Sequence, residues 1–269
     1  MGRPRKYSLN EDYFENINSN NKAYILGFIY ADGSIYGNYL SIRLSAKDVE
    51  ILNYIKSELG YGGNIRDYVI KNNNYVELTI SSKKIVKDLI KIGIIQNKTY
   101  NSKELPIFDE KFKNAMLRGF FDGDGSIYSN NNRGYIEYTI CFSGNISVLN
   151  QIKKILEKYE ISSCKIRHRY NNDISCMLEI RGNKNIEKIY NLLYDNAEFY
   201  LKRKKERFDD FLLMLTKLSR RNLSNDVINN IENLYRLGMM QVKIAKMVNI
   251  PNSSVKTVIQ RLRKYGKVE

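Results

Sequence analysis

Asp32 and Asp124 stand 92 residues apart (124 − 32) inside two copies of one string. Residues 24–36 read YILGFIYADGSIY and residues 116–128 read MLRGFFDGDGSIY. Each aspartate closes an apolar run with helical patterning and is followed by glycine. Small residues sit four apart within each run, Gly27 with Ala31 and Gly119 with Gly123. That spacing removes the bulk that normally holds helices 8–10 Å apart, so the two runs are expected to pack face to face. The pairing would bring Asp32 and Asp124 together at two helix C-termini. Carboxylates placed so repel each other and face the negative end of the helix dipole. Folding does not require the arrangement, so a cation between them is the economical explanation. Oxygen-only ligands favour Mg²⁺, which keeps several waters and takes further ligands from a substrate phosphate. Such a centre suits metal-assisted phosphodiester hydrolysis. A calcium loop opening at Asp122 fails, because its twelfth position, which needs a bidentate Glu, is Arg133.

The elements that must position these aspartates repeat as well. In the first copy a helix is expected from about 22 to 30, capped by Asn18 or Ser19 and stopped by Gly33 in a left-handed conformation. Leu40, Ile42 and Leu44 alternate with Ser41, Arg43 and Ser45 as a half-buried strand. A helix near 47–59, strands near 64–70 and 75–81 about a turn at Asn72, Asn73 and Asn74, and a helix near 82–92 follow. The second copy repeats the order: a helix from Asp109 to Phe121, strands near 126–129 and 135–142, a helix near 145–158, strands at 164–170 and 175–181, and a helix at 183–194. A basic helix, 202–217, extends it. Three short helices near 226–237, 240–248 and 252–265 have helix-turn-helix spacing, with Asn249-Ile250-Pro251 as the turn. The expected organisation is a basic arm at 1–18, repeats at 19–105 and 106–218, a linker at 219–225 and a helical module at 226–269.

The 269 residues carry 44 Lys and Arg against 29 Asp and Glu, a formal charge of +15. That excess points to a polyanion, nucleic acid first, through counterion release. One histidine, His168, excludes a His-rich metal nuclease, and Cys141, Cys164 and Cys176 lie too far apart for a zinc finger. Three cysteines without a secretory signal fit a reducing cytoplasm better than a disulfide framework. His168 is expected to be packed or hydrogen-bonded, and the cysteines to act as small core residues.

The strings ILGFIYADG (25–33) and LRGFFDGDG (117–125) resemble the two signature helices of single-chain LAGLIDADG homing endonucleases. The resemblance covers about residues 19–218. It implies an α+β fold of two αββαββα repeats related by a pseudo-twofold axis, with antiparallel sheets that saddle DNA, followed here by a small all-α helix-turn-helix domain. It implies Asp32 and Asp124 as the catalytic, Mg²⁺-holding acids, joined by the peptide carbonyls of Ala31 and Gly123. It also implies a lysine near the last helix of each half, for which Lys98 and Lys202 are the candidates, with Lys204 as the rival to Lys202. The first acidic position of the motif, Asp122 in the second copy, is Tyr30 in the first, and Arg118 stands where a small residue is usual.

On the strand 164–170, Lys165, Arg167 and Arg169 share one face. Arg43 and Arg66 hold comparable places in the first half. Such strands fit the major groove, where Arg bonds guanine bidentately. In the module, Val255, Ile259 and Leu262 form a buried stripe that leaves Ser253, Lys256, Thr257, Gln260 and Arg261 outward as a recognition face. The combined expectation is a monomeric, site-specific endonuclease that makes Mg²⁺-dependent double-strand cuts at a long, pseudo-palindromic or asymmetric DNA site. It would mobilise an intron or a free-standing element. A location in a bacterial or phage-infected cytoplasm, at the nucleoid when DNA-bound, goes with that, and residence in an intein is not expected. The alternatives on the same scaffold are a non-cleaving transcription regulator, disfavoured by the retained acids, and a maturase that binds intron RNA.

Overall fold

The computed structural model describes residues 5–96, 104–132, 135–162, 164–170, 173–221, 223–250 and 252–264. It divides into two compact units, Met1–Phe211 and Leu212–Glu269.

The first unit contains the repeat twice. Its first copy runs α1 (Asn20–Asp32), β1 (Gly33–Tyr36), β2 (Tyr39–Ser45), α2 (Val49–Glu58), β3 (Arg66–Ile70), β4 (Asn73–Ser81) and α3 (Lys83–Lys91). Its second runs α4 (Lys113–Asp124), β5 (Gly125–Asn132), β6 (Tyr135–Gly144), α5 (Ile146–Lys158), β7 (Cys164–His168), β8 (Cys176–Arg181) and α6 (Asn183–Tyr194), and α7 (Lys202–Arg221) follows. Both sheets are antiparallel and ordered alike, β1-β2-β4-β3 and β5-β6-β8-β7. The chain has the αββαββα duplication that the sequence implied.

Period-two alternation builds both layers. Leu40, Ile42, Leu44, Val76, Leu78 and Ile80 are buried on one face of the first sheet, with α2 and α3 packed beside them. Ile140, Phe142, Leu178 and Ile180 do the same beneath α5 and α6. Each fully buried Leu, Ile or Phe contributes on the order of 1.5–3 kcal/mol. The opposite faces are left with the polar and charged members of each strand.

Several boundaries move, each for a physical reason. Ser19 caps α1 by accepting from the Lys22 amide, but the helix continues to Asp32. Gly33 is extended (φ −75°, ψ 154°), not left-handed, because it is already the first residue of β1. A methyl built on it would lie 2.6 Å from the Ile29 carbonyl oxygen, so glycine is needed there for space. The second hairpin turns at Lys71 and Asn72, both with positive φ, between the paired Ile70 and Asn73. Two consecutive positive φ values are the requirement of a type I′ two-residue hairpin.

Residues 5–18 of the expected basic arm pack on the first repeat. Tyr13, Phe14 and Ile17 are buried, the Tyr13 hydroxyl donates to Glu58 (2.8 Å), and Arg5 donates to the Ser81 carbonyl (2.8 Å). These three apolar side chains supply the burial that holds the segment on the first repeat. The expected linker at 219–225 is also shorter, since 219–221 complete α7 and α8 opens at Asn225.

The second unit ends in α8 (Asn225–Arg236), α9 (Gln241–Met247) and α10 (Asn252–Lys264) around Ile231, Ile244, Ala245, Val255 and Ile259. Asn249, in the α9–α10 turn, takes positive φ (52°).

Candidate active site

The site is assembled by the contact of α1 with α4. A methyl built on Gly27 would lie 2.0 Å from the Met116 carbonyl oxygen, and one on Gly119 would lie 2.0 Å from the Tyr24 carbonyl oxygen. Backbone thus meets backbone, reciprocally, at positions 92 residues apart. Nearer the C-termini, a methyl on Gly123 would lie 2.3 Å from the Ala31 Cβ and 3.2 Å from the Asp32 Oδ2. The end of α4 is therefore against Asp32. Asp32 and Asp124 are the last residues of their helices, Asp32 exposed and Asp124 half-buried.

A lysine sits at this junction, and it is Lys204. Its ammonium donates to the carbonyls of Phe121 (2.7 Å), Asp122 (2.6 Å) and Gly123 (3.0 Å), closing the C-terminus of α4. The side chain is buried, and desolvation lowers its pKa to about 8, opposed by the negative charges of Asp122, Asp32 and Asp124. Lys202 is elsewhere: it is exposed and pairs with Glu50 at 2.8 Å. Of the two candidates, Lys204 and not Lys202 lies at the helix junction. Two residues of helix rotate a side chain by about 200°, so the two lysines cannot share a direction. The sequence carried the signal, since Leu201, Lys204, Phe208 and Phe211 form one buried stripe in which Lys204 is the charged member. Lys98, the counterpart proposed for the first half, lies outside the described residues.

Asp122 organises the surroundings of Lys204. Its carboxylate is buried and accepts from the Tyr24 hydroxyl (2.8 Å) and the Leu201 amide (2.8 Å), which fastens the start of α7 to the end of α4. Burial raises its pKa, while the Leu201 and Tyr24 hydrogen bonds act in the opposite direction. Arg118, likewise buried, donates to the carbonyls of Phe199 (3.1 Å) and Leu193 (3.0 Å) and stacks over Tyr24. Burial lowers its pKa. Arg203 reaches back to the first repeat with a bidentate bond to Asp48 (2.8 Å twice), and Phe199 stacks on Tyr54 at 3.6 Å. The segment 199–204 thus ties the second repeat to the first beside the paired aspartates. In the first copy Tyr30 occupies the Asp122 position and donates to the Glu104 carbonyl (2.9 Å).

Among the described residues there is no group of three or more His, Cys, Asp and Glu able to hold a metal. Two carboxylates at adjoining helix ends, with backbone carbonyls beside them, make an oxygen-only donor set that fits Mg²⁺ better than a transition metal.

The outward sheet faces begin where the helices end. In the first sheet Arg43 pairs with Glu77 (3.1 Å) and stacks over Tyr68 (4.9 Å), while Arg66 lies opposite Glu77 on β3. In the second, Lys165 and Arg167 are exposed on β7, and Arg169 follows the strand with its amide bonded to the Ser175 carbonyl (2.8 Å). Arg181 and Glu179 of β8, which sequence reasoning did not single out, belong to the same surface. His168 points to Cys176 (Nδ1 to Sγ, 3.5 Å), and Cys141 and Cys176 are buried. In α10, Val255, Ile259 and Leu262 are buried, whereas Lys256, Thr257 and Gln260 are exposed; Ser253 and Arg261 fall in the same helix. No described helix is long and apolar enough to cross a membrane.

Comparison with known proteins bears on the fold. Residues 111–193 match the family described as LAGLIDADG-like domain. The chain is similar to the I-LtrWI LAGLIDADG homing endonuclease solved bound to target DNA, with 16% identity, 78% of this chain and 92% of that one covered, and a TM-score of 0.52. It is also similar to the LAGLIDADG homing endonuclease I-GzeII in complex with its DNA target (14%, 76% and 93%, 0.54) and to the meganuclease I-SmaMI bound to uncleaveable DNA (14%, 74% and 91%, 0.54). A curated relative, the DNA-directed RNA polymerase subunit Rpo1C of Methanocaldococcus jannaschii, is 24% identical over 252 residues. That match covers 91% of this chain, which spans about a quarter (26%) of the relative's length. The chain has the single-chain LAGLIDADG homing endonuclease fold.

Proposed function

We propose that this chain is a site-specific DNA endonuclease that cuts both strands by Mg²⁺-dependent phosphodiester hydrolysis. The carrying observation is the meeting of two aspartate-terminated helices, each followed at once by the first strand of its own sheet. The formal charge of +15 suits a polyanion as long as a DNA duplex.

Asp32 and Asp124 would hold the metal, with the Ala31 and Gly123 carbonyls beside them. Bound there, Mg²⁺ would act as a Lewis acid on the phosphate and lower the pKa of a bound water. Lys204 adds a cation fixed against the α4 carbonyls, in a desolvated position where charge developing on phosphate is stabilised without reorganisation. Asp122 holds Lys204 in place through the Leu201 amide. Lys98 remains the candidate for the equivalent role in the first half. Arg43, Arg66, Lys165, Arg167 and Arg169 would read the duplex from the sheet faces, and Lys256, Thr257, Gln260 and their neighbours on α10 would add affinity by linked binding. The biological outcome would be mobility of an intron or a free-standing element.

The test is incubation of the purified chain with a plasmid library of uninterrupted candidate loci, in Mg²⁺ or in EDTA. Discrete double-strand cuts in Mg²⁺ alone support the reading. Tight, salt-sensitive binding without cleavage at any locus would instead favour the non-cleaving regulator.

A further inference from the structure

We propose that Glu179 is a positioning residue for base recognition, holding Arg167 and Arg181 as a fixed pair aimed at guanine. The inference deepens the DNA-cleaving reading and rests on it. Glu179 lies on the outward face of the second sheet, yet its side chain is 9% exposed, while Arg167 and Arg181 are 51% and 56% exposed. One carboxylate oxygen, Oε2, accepts from Arg167 Nε at 2.9 Å and from Arg181 Nη2 at 3.2 Å. Each guanidinium engages Glu179 through one nitrogen, and about half of each arginine side chain is exposed.

Stability is a poor explanation for this arrangement. Drawing a carboxylate out of water is costly, and ion pairs with half-exposed arginines return little of that cost. Holding two arginines in one geometry has a clearer use, because a guanidinium already oriented loses less freedom when it bonds guanine O6 and N7. The placement agrees. Ser126, Cys141, Glu179 and Lys165 form one register row across β5, β6, β8 and β7. Ser126 is two residues beyond Asp124. With strands about 4.8 Å apart, Glu179 lies roughly 10 Å across the sheet from Ser126. The bases it helps to read are therefore those beside the cut.

The experiment is selection of bound sequences from a randomised duplex library by wild type, E179Q, R167Q and R181Q, with affinity for unrelated DNA and thermal melting measured in parallel. E179Q should lose guanine preference by about ten-fold or more, at the base pairs where R167Q and R181Q lose theirs. Its affinity for unrelated DNA should stay level or rise, because an anion leaves a cationic face. A merely structural role would lower melting temperature and both affinities together. Unchanged preference in E179Q, or loss at base pairs that neither arginine governs, overturns the proposal. Should E179Q fail to fold, R167Q and R181Q decide: effects on the same or adjacent base pairs support the shared anchor, and effects on separated ones overturn it. Wild type that selects no sequence defeats the DNA reading itself, a different result from a wild-type motif that E179Q keeps.

Discussion

The two repeats share a helix pair and an acid pair but surround them differently. The end of α4 is enclosed by buried charges: Lys204 donates to the Asp122 carbonyl, while Asp122 and Arg118 bond the backbone of Leu193, Phe199 and Leu201. The corresponding residues of α1, Leu26 and Tyr30, are a hydrocarbon and a phenol. The sheets differ in the same way. Glu77 orders Arg43 in the first, and Glu179, on the row beside the helix end, orders Arg167 and Arg181 in the second. What survives in both copies is the close crossing at Gly27 and Gly119 and the terminal aspartates. Those are the features that a site shared between halves demands of each half. The rest reflects how each half holds its own end of the site.

Breaking the shared feature should have the largest effect. Gly27→Val and Gly119→Val should each remove more than about 4 kcal/mol of stability, because a side chain there meets a backbone carbonyl that cannot move alone. Urea melts would read the loss, and a mild result for either would break the claimed symmetry. The next effect should be one-sided. Asp122→Ala leaves Arg118 and Lys204 buried without their carboxylate and should cost about 3–5 kcal/mol. Tyr30→Phe, which removes one hydrogen bond, should cost about 1 kcal/mol by the same melts.

Lysine substitutions sharpen the contrast within one turn of α7. Lys204→Met should slow single-turnover cleavage by about 10²-fold or more, whereas Lys202→Met, at an exposed ion pair, should leave the rate unchanged. The reverse order would restore Lys202 to the site. The smallest effect should come from α10. Lys256→Ala should weaken binding uniformly across sequences and reduce the salt slope of log K by about 1.

Much of this was legible because it is periodic. The duplicated string, the alternation of Leu40, Ile42 and Leu44, and the stripe of Val255, Ile259 and Leu262 each follow from one repeat length imposed by one kind of element. The crossing of α1 with α4 was legible because small residues four apart have few other uses when they recur. Features that depend on where a chain turns were not. The run at 202–205 is uniformly basic, so choosing its buried member required extending the apolar stripe back from Phe208 and Phe211 to Leu201. Gly33 reads as a helix stop, but the need for space beneath Ile29 sets its role. Glu179 was invisible because alternation assigns a side chain to a face without saying which neighbours will close over it.

The central claim is that one aspartate from each repeat serves a single hydrolytic centre. The most direct measurement compares Asp32→Asn and Asp124→Asn with wild type on a cleaved target, scoring binding and double-strand cuts in the same Mg²⁺ buffer. The account predicts that both variants bind the target and that neither cuts it through both strands. A variant that binds and still makes double-strand cuts at the wild-type rate would contradict it.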